Sequence, residues 1–176
     1  GSGVPGWVNH IIGGWEVTGI FTGRTGLAFG TTSTAFPVGF NFNSPAAFNS
    51  TSNAGALQEA INETGNTIQF FGNRTAVFDP NNPLAGILRY PRHGEIGSRN
   101  MLRGPNFWNL DTAVLKNFQM PWSEHHSLQI RWESFNAFNH HSFGLPAVNI
   151  NANNFGNITT SASTAREMQF AIRYSF

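Results

Sequence analysis

Apolar and polar residues alternate with a period of two along four segments of the chain, the spacing of strands whose two faces meet different surroundings. From about 14 to 27, Trp15, Val17, Gly19 and Phe21 alternate with Glu16, Thr18, Ile20, Thr22 and Arg24. From about 107 to 120, Trp108, Leu110, Thr112, Val114 and Phe118 oppose Asn109, Asp111, Ala113, Asn117 and Gln119. From about 127 to 138, Leu128, Ile130, Trp132 and Phe138 oppose Gln129, Arg131, Glu133 and Asn139. The last segment, about 166 to 176, sets Met168, Phe170, Ile172, Tyr174 and Phe176 against Glu167, Gln169, Ala171, Arg173 and Ser175. The spacing predicts four long antiparallel strands. A short polar turn, 121–126, joins the second to the third. The stretches 28–106 and 139–165, rich in Asn, Ser and Gly, separate the others; 28–106 shows no long regular pattern, which argues against an ordinary compact domain. Within it, Ala56–Asn62 reads as a short helix capped by Ser52 or Asn53.

Two surroundings suit such strands. In a water-soluble sandwich the apolar face is the core; in an outer-membrane barrel it meets lipid and the polar face lines the lumen. Composition separates the two. Only 11% of the 176 residues are charged, less than half of the ~25% usual for soluble domains. In place of Lys, Glu and Asp, the chain offers 21 Asn, 19 Gly and 17 Phe. Aromatic residues stand near the ends of the apolar faces (Trp15, Trp108, Phe118, Trp132, Phe138, Tyr174, Phe176), as girdles at a lipid–water interface require. Strands of about 10–14 residues cross ~30 Å of hydrocarbon when tilted. The expected fold is therefore all-β: an antiparallel transmembrane β-barrel segment of about four long strands with one very long extracellular loop. If the 121–126 turn is periplasmic, 28–106 and 139–165 both fall outside the cell and the C-terminus lies in the periplasm. A soluble carbohydrate-binding β-sandwich is the alternative, and an oligomeric barrel with four strands from each subunit is another.

The net charge of +1 leaves no basic field for nucleic acid, and the absence of cysteine removes disulfides, thiolate metal sites and cysteine nucleophiles. No carboxylate pair, serine setting or glycine-rich phosphate loop points to catalysis, so no enzyme, cofactor or catalytic residue is expected. His125-His126 and His140-His141 are adjacent pairs that a strand would point to opposite faces, and both fall in turns; no metal is expected. Glu16, Asp111, Arg131, Glu133, Glu167 and Arg173 lie on the polar faces. They would form a lumenal charged track or, more simply, a ladder of opposite charges across neighbouring strands. Lys116, the single lysine, falls on the apolar parity, where it snorkels to the interface or is turned aside by a bulge. The phenylalanines of the long loop (Phe36, Phe40, Phe42, Phe48, Phe70, Phe71, Phe78) suit either stacking on a ligand or packing the loop on itself as a cap; the cap is the simpler reading. Four glycosylation-type sequons, at Asn49, Asn62, Asn73 and Asn157, follow from the abundance of Asn and Thr.

Several segments resemble a known family. Gly13-Gly14-Trp15-Glu16-Val17-Thr18-Gly19 is similar to the entry strand of large TonB-dependent outer-membrane receptors, above all the Oar-like, acidobacterial-type group with a carboxypeptidase-regulatory-like domain. Arg99-Asn100-Met101-Leu102-Arg103-Gly104-Pro105, Trp108-Asn109-Leu110-Asp111 and Lys116-Asn117-Phe118 resemble that group's penultimate region, as does Glu133-Ser134-Phe135-Asn136-Ala137-Phe138-Asn139-His140. The ending, with Phe170, Ile172, Tyr174 and Phe176 on alternate positions, resembles the signal read by the barrel-assembly machinery. The resemblance implies a 22-stranded barrel, a plug domain and a TonB-binding segment, with this chain supplying a C-terminal piece. It further implies outer-membrane lipid, the rest of the barrel and plug, TonB and an unidentified ligand as partners. A surface adhesin-like module without transport is the alternative that the same residues allow.

Overall fold

The computed structural model describes residues 8, 12–34, 44–49, 57, 59–92, 95, 99–120, 122 and 125–176. They fall into two units: Gly1–Gly23 with Trp108–His141 and Ser163–Phe176, and Arg24–Phe107 with Ser142–Ala162.

The first unit is built on one four-stranded sheet, in spatial order β1 (Trp15–Arg24), β2 (Phe107–Gln119), β3 (Ser127–Phe135) and β4 (Glu167–Ser175). All four strands predicted from the alternation are present, and the all-β antiparallel expectation is borne out. β2 and β3 run antiparallel from Thr112 opposite Ser134 to Gln119 opposite Ser127. β3 and β4 do so from Ser127 opposite Ser175 to Phe135 opposite Glu167. Along β1, Gly14 meets Asn117 while Gly19 lies against Asp111, so this pair also runs in opposite directions. Gly14 is required there: its φ is +71°, and a Cβ would stand 2.7 Å from the carbonyl oxygen of Asn117.

β3 stops at Phe135, three residues short of the expected end, because Asn136 turns the backbone into the left-handed region at φ 50°. Phe138 continues the apolar alternation in sequence but sits in the turn.

The second unit corrects the expectation that 28–106 lacks structure of its own. Its Glu59–Thr64 and Thr67–Phe71 form a hairpin around Gly65 (φ 61°), and Asn157–Ile158 adds a third strand. The helix expected over Ala56–Asn62 is not formed where the structure describes it: residues 59–64 are strand. The Thr64-Gly65-Asn66-Thr67 turn pairs this segment with the next, and that pairing outweighs a weak helical pattern. Ala56 and the cap residues Ser52 and Asn53 lie outside the described residues.

Two-residue pairings tie Ala28–Phe29 to Leu102–Arg103, Thr32–Ser33 to Ser44–Pro45, and Ala47–Phe48 to Leu88–Arg89. They surround a buried cluster that includes Phe29, Phe70, Phe71, Phe78, Leu88, Ile150 and Phe155. The rings of Phe70 and Phe71 meet edge to face at 5.0 Å, and Phe71 and Phe155 lie 5.3 Å apart, distances at which aromatic pairs attract. The loop phenylalanines at 48, 70, 71 and 78 therefore pack the segment against itself; Phe36, Phe40 and Phe42 lie outside the described residues.

Strands this short leave many backbone groups without ladder partners, and asparagine side chains supply them. Asn49 donates to the Leu84 carbonyl at 2.8 Å, Asn62 donates to that of Gly72, and Asn73 caps the helix Arg74–Val77 by accepting from the Ala76 N–H at 3.1 Å. Three sequon asparagines are thus structural.

One ion pair in this unit makes a pH prediction. Glu95 accepts two hydrogen bonds from Arg89, at 2.7 and 2.8 Å, and a third from the Arg92 backbone N–H at 2.6 Å. The Arg89 guanidinium, aided by the Arg92 N–H, pulls the Glu95 carboxyl down to about 2. A depressed acid stabilises the folded unit above its ordinary range near 4.5 and ceases to as pH falls through about 2. Carboxyl-resolved NMR is expected to place the Glu95 midpoint near 2, with the protection factors of the amides around Arg92 unchanged from pH 7 to 5 and falling below 4. A midpoint near 4 would contradict the pairing.

Candidate functional site

The register turns the alternation of single strands into two continuous faces. On one, Val114, Trp132 and Phe170 form a row; Lys116, Ile130 and Ile172 form the next; Phe118, Leu128 and Tyr174 form the third. Trp15, Val17 and Phe21 of β1 share this face, as the contacts of Trp15 with Lys116 and Phe21 with Trp108 show. The face is not a core. Val17, Phe170 and Ile172 are 72%, 77% and 73% exposed, and a soluble sandwich would have to bury them.

Aromatic side chains gather at both ends of it. At one end Trp108 lies 6.4 Å from Phe21, 6.0 Å from Phe138 and stacked on His140 at 3.9 Å. At the other, Trp15, Phe118, Tyr174 and Phe176 follow one another across the strands, with Tyr174 and Phe176 at 6.2 Å. From Trp108 to Phe118 the strand advances about 34 Å. Tilted 35–45°, that becomes roughly 25 Å, the height of the apolar band on outer-membrane barrels.

Lys116 is the exception on the apolar face, and its surroundings explain it. The register is regular through Lys116 opposite Ile130, so no bulge turns it aside. Its ammonium instead reaches the rings of Trp15 and Phe118, at 5.0 and 5.2 Å, and donates to the Gly13 carbonyl. The residue is only 3% exposed. The stem covers apolar surface while the charge is held at the aromatic end of the face. Lys116→Gln, one atom shorter and still polar, removes the cation–π attraction and is expected to cost about 1 kcal/mol in urea unfolding; no loss would mean that the rings do not hold the ammonium.

The second face carries Glu16, Asp111, Arg131, Glu133, Glu167 and Arg173, but not as a ladder of opposite charges. Glu133 stands opposite Gln169, Arg131 opposite Ala171, Arg173 opposite Gln129, and Glu167 opposite Phe135. The ion pair present runs along β3, between Arg131 and Glu133, two residues apart on one face. Glu167 accepts from Gln169 on its own strand, and Glu16 is exposed on β1. The expectation of cross-strand pairing fails because alternation gives the face of each charge but not the register between strands.

Asp111 has a different task. Its Oδ1 accepts from the backbone N–H of Asn136 at 2.8 Å and from Asn109 Nδ2 at 2.9 Å. It thereby fixes the turn after β3. Asn136 does more: its Nδ2 donates to the carbonyls of His140 and Thr164, at 3.0 and 2.8 Å, and its Oδ1 accepts from the His140 N–H at 2.8 Å. Asn139 Oδ1 accepts from the Arg166 N–H at 3.1 Å. These two asparagines clip the end of β3 to the approach of β4. Neither was singled out from the sequence for this role. The available signal was two asparagines three apart where an alternation ends, since Asn tolerates positive φ better than most residues.

At the opposite end, the His126 ring nitrogen Nδ1 and the Tyr174 hydroxyl are 2.6 Å apart, which ties the C-terminal strand to the β2–β3 connection. Of the four residues read as an assembly signal, Phe170, Ile172 and Tyr174 are on the apolar face of β4, and Phe176, 90% exposed, follows its last residue. Among the described residues, β4, like β1, is paired with a neighbouring strand on one side only. Among the described residues no three His, Cys, Asp or Glu side chains come together in a way that could hold a metal ion.

A family model described as an outer membrane beta barrel domain matches residues 1–169. No curated protein and no solved structure matches the chain.

Proposed function

The chain belongs to the outer-membrane β-barrel family and has its place in the bacterial outer membrane, and from that premise we propose that it forms part of the wall and extracellular mouth of a TonB-dependent receptor of the Oar-like type. The observation that carries the membrane half of this reading is the open apolar face bounded by aromatic residues at both ends. In lipid that face contacts acyl chains, and the face with Arg131, Glu133 and Arg173 lines the lumen. The segments 28–106 and 139–165 then lie outside the cell, and the buried cluster around Phe70 and Phe71 gives them a folded core of their own.

Four strands do not close a barrel, since small barrels take about eight. Unpaired edge N–H and C=O groups on β1 and β4 would be costly in hydrocarbon. In this reading both edges pair with further strands of a larger barrel, and the Phe170–Phe176 stretch offers its edge to the assembly machinery before closure. The resemblance of the Gly13–Gly19, Arg99–Pro105 and Glu133–His140 segments supports the receptor type, and with it a plug and energised uptake.

The experiment is a binding assay between the detergent-solubilised full-length receptor and the immobilised periplasmic domain of TonB. Saturable retention that a peptide of the receptor's TonB-binding segment displaces is expected. No retention from a barrel that is correctly inserted would favour the adhesin-like reading instead. For the assembly role, deleting Phe176 from the full receptor should lower the inserted fraction in outer-membrane preparations; unchanged insertion would remove that role.

A further inference from the structure

We propose that the loop unit carries a binding cleft for a small monocarboxylate with an apolar or aromatic body, held by Arg24. This goes beyond the receptor reading and stands on the loop unit alone.

The cleft is open to solvent and is walled by Arg24, Leu27, Pro105, Phe107, Phe143 and Leu145. Apart from Arg24 and backbone, these walls are apolar. Leu27 and Leu145 stand at 53% and 39% exposure, so greasy surface is presented to whatever enters.

The backbone beneath uses up its own polar groups. Gly104 N–H donates to the Leu27 carbonyl at 2.9 Å, Gly144 N–H to that of Thr160 at 2.8 Å, and Gly26 N–H to Asn106 Oδ1 at 3.2 Å. Gly26 and Gly104 approach so closely that a Cβ on Gly26 would overlap the Gly104 carbonyl oxygen at 1.6 Å, which keeps this floor fixed.

Arg24 is the polar feature left over. Its guanidinium lies 4.6 Å over the Phe107 ring. Neither ion pair found among the described residues involves it. A guanidinium held over a ring can still offer its in-plane N–H groups to a carboxylate through two parallel hydrogen bonds. A planar cation braced on an aromatic ring, beside apolar walls, matches a ligand with one carboxylate and a short greasy body. Inorganic phosphate supplies the charge without the body, and a neutral apolar molecule supplies the body without the charge.

The test is ligand-observed fluorine NMR on the whole chain in a neutral maltoside detergent, with 4-fluorobenzoate as probe. Saturable line broadening is expected. 4-Fluorobenzamide, its uncharged counterpart, should bind at least tenfold more weakly, and equimolar inorganic phosphate should not displace the probe. Arg24→Gln should weaken the probe at least tenfold, and Arg24→Lys about threefold, because lysine keeps the charge without the fork. Leu145→Asp, at another residue of the lining, should abolish binding through charge repulsion. Arg24 is exposed, so loss of its contact with Phe107 should lower the urea midpoint only slightly, and a tenfold binding loss in protein that remains folded reads the site. Equal binding of benzoate and benzamide, mole-for-mole displacement by phosphate, or undiminished binding by Arg24→Gln would each overturn the proposal.

Discussion

Phe170→Arg is expected to destabilise the lipid-inserted sheet by about 2–4 kcal/mol, whereas Gln169→Arg, its neighbour on β4, should leave stability nearly unchanged. The two positions are adjacent in sequence and point to opposite faces. Phe170 stands opposite Trp132, which stands opposite Val114, and Val114 lies near the middle of the span from Trp108 to Phe118. A guanidinium there must leave water or drag water into hydrocarbon. At Gln169 it enters a face already shared with Arg131 and Arg173, where solvent or Glu133 receives it.

A third variant grades the effect by depth. Phe118→Arg lies at the aromatic end of the same face, where the charge reaches the headgroup region; the cost of depth should fall to about 0–1 kcal/mol, with up to about 1 kcal/mol more for losing the ring beside the Lys116 ammonium. The measurement is urea-dependent folding into short-chain phospholipid vesicles, followed by tryptophan fluorescence and by heat-modifiable gel mobility. The ordering Phe170 well above Phe118 and Gln169 is what an outward apolar face dictates. Similar costs at 169 and 170 would mean that the two faces do not meet different solvents, and the membrane assignment of the sheet would fail with them.

This ordering could be written down from the alternation alone, because a period of two fixes which residues share a face, and in a long strand nothing local competes with it. The four strands were legible for that reason, to within three residues at each end. What alternation does not fix is which residue stands beside which. Arg131 and Glu133 share a face in any register, but Arg173 falls opposite Gln129 rather than Glu133 only because β3 and β4 meet with Ser127 beside Ser175. Register is set by the turns and by the packing of the apolar face.

The loop unit was hidden for another reason. Its strands are mostly two residues long, too short to show a period, and its core is drawn from Phe29, Leu88, Ile150 and Phe155, which are far apart in the chain. The phenylalanine count said that a cap could be packed, not which rings would meet. Arg24 shows the same limit. The alternation puts it on the polar side of the first strand, while Phe107 and Leu145, which line the same cleft, come from distant segments that no local pattern joins.

The turn after β3 carries the largest single-residue effect expected in the sheet unit: Asn136→Ala should cost about 3–5 kcal/mol. Two contributions converge on it. Asn136 is only 4% exposed, so truncation removes, where water has little access, its hydrogen bonds to the Thr164 carbonyl, the His140 N–H and the His140 carbonyl, the last of which keeps Ser163 Oγ; a buried group left unsatisfied costs about 1–3 kcal/mol. Alanine also tolerates φ 50° poorly, a further 1–2 kcal/mol. Partial relaxation keeps the total below the sum.

Companion variants separate these contributions. Asn136→Gly relieves the backbone and should recover about 1 kcal/mol of the alanine loss. Asn136→Asp keeps the acceptor for the His140 N–H but turns a carboxylate toward two carbonyl oxygens. It should be at least as unstable as alanine while keeping the His140 amide slow to exchange. Asp111→Asn retains the Oδ1 that receives the Asn136 N–H and should be tolerated, whereas Asp111→Ala should loosen the same turn; equal effects of the two would make the Asp111 charge itself the important property. The readouts are the urea midpoint and amide exchange at 139–141 and 164–167. If Asn136→Ala matched the parent in both, the join between β3 and β4 would have to rest on the β3–β4 ladder alone, and the asparagines at 136 and 139 would be ordinary turn residues.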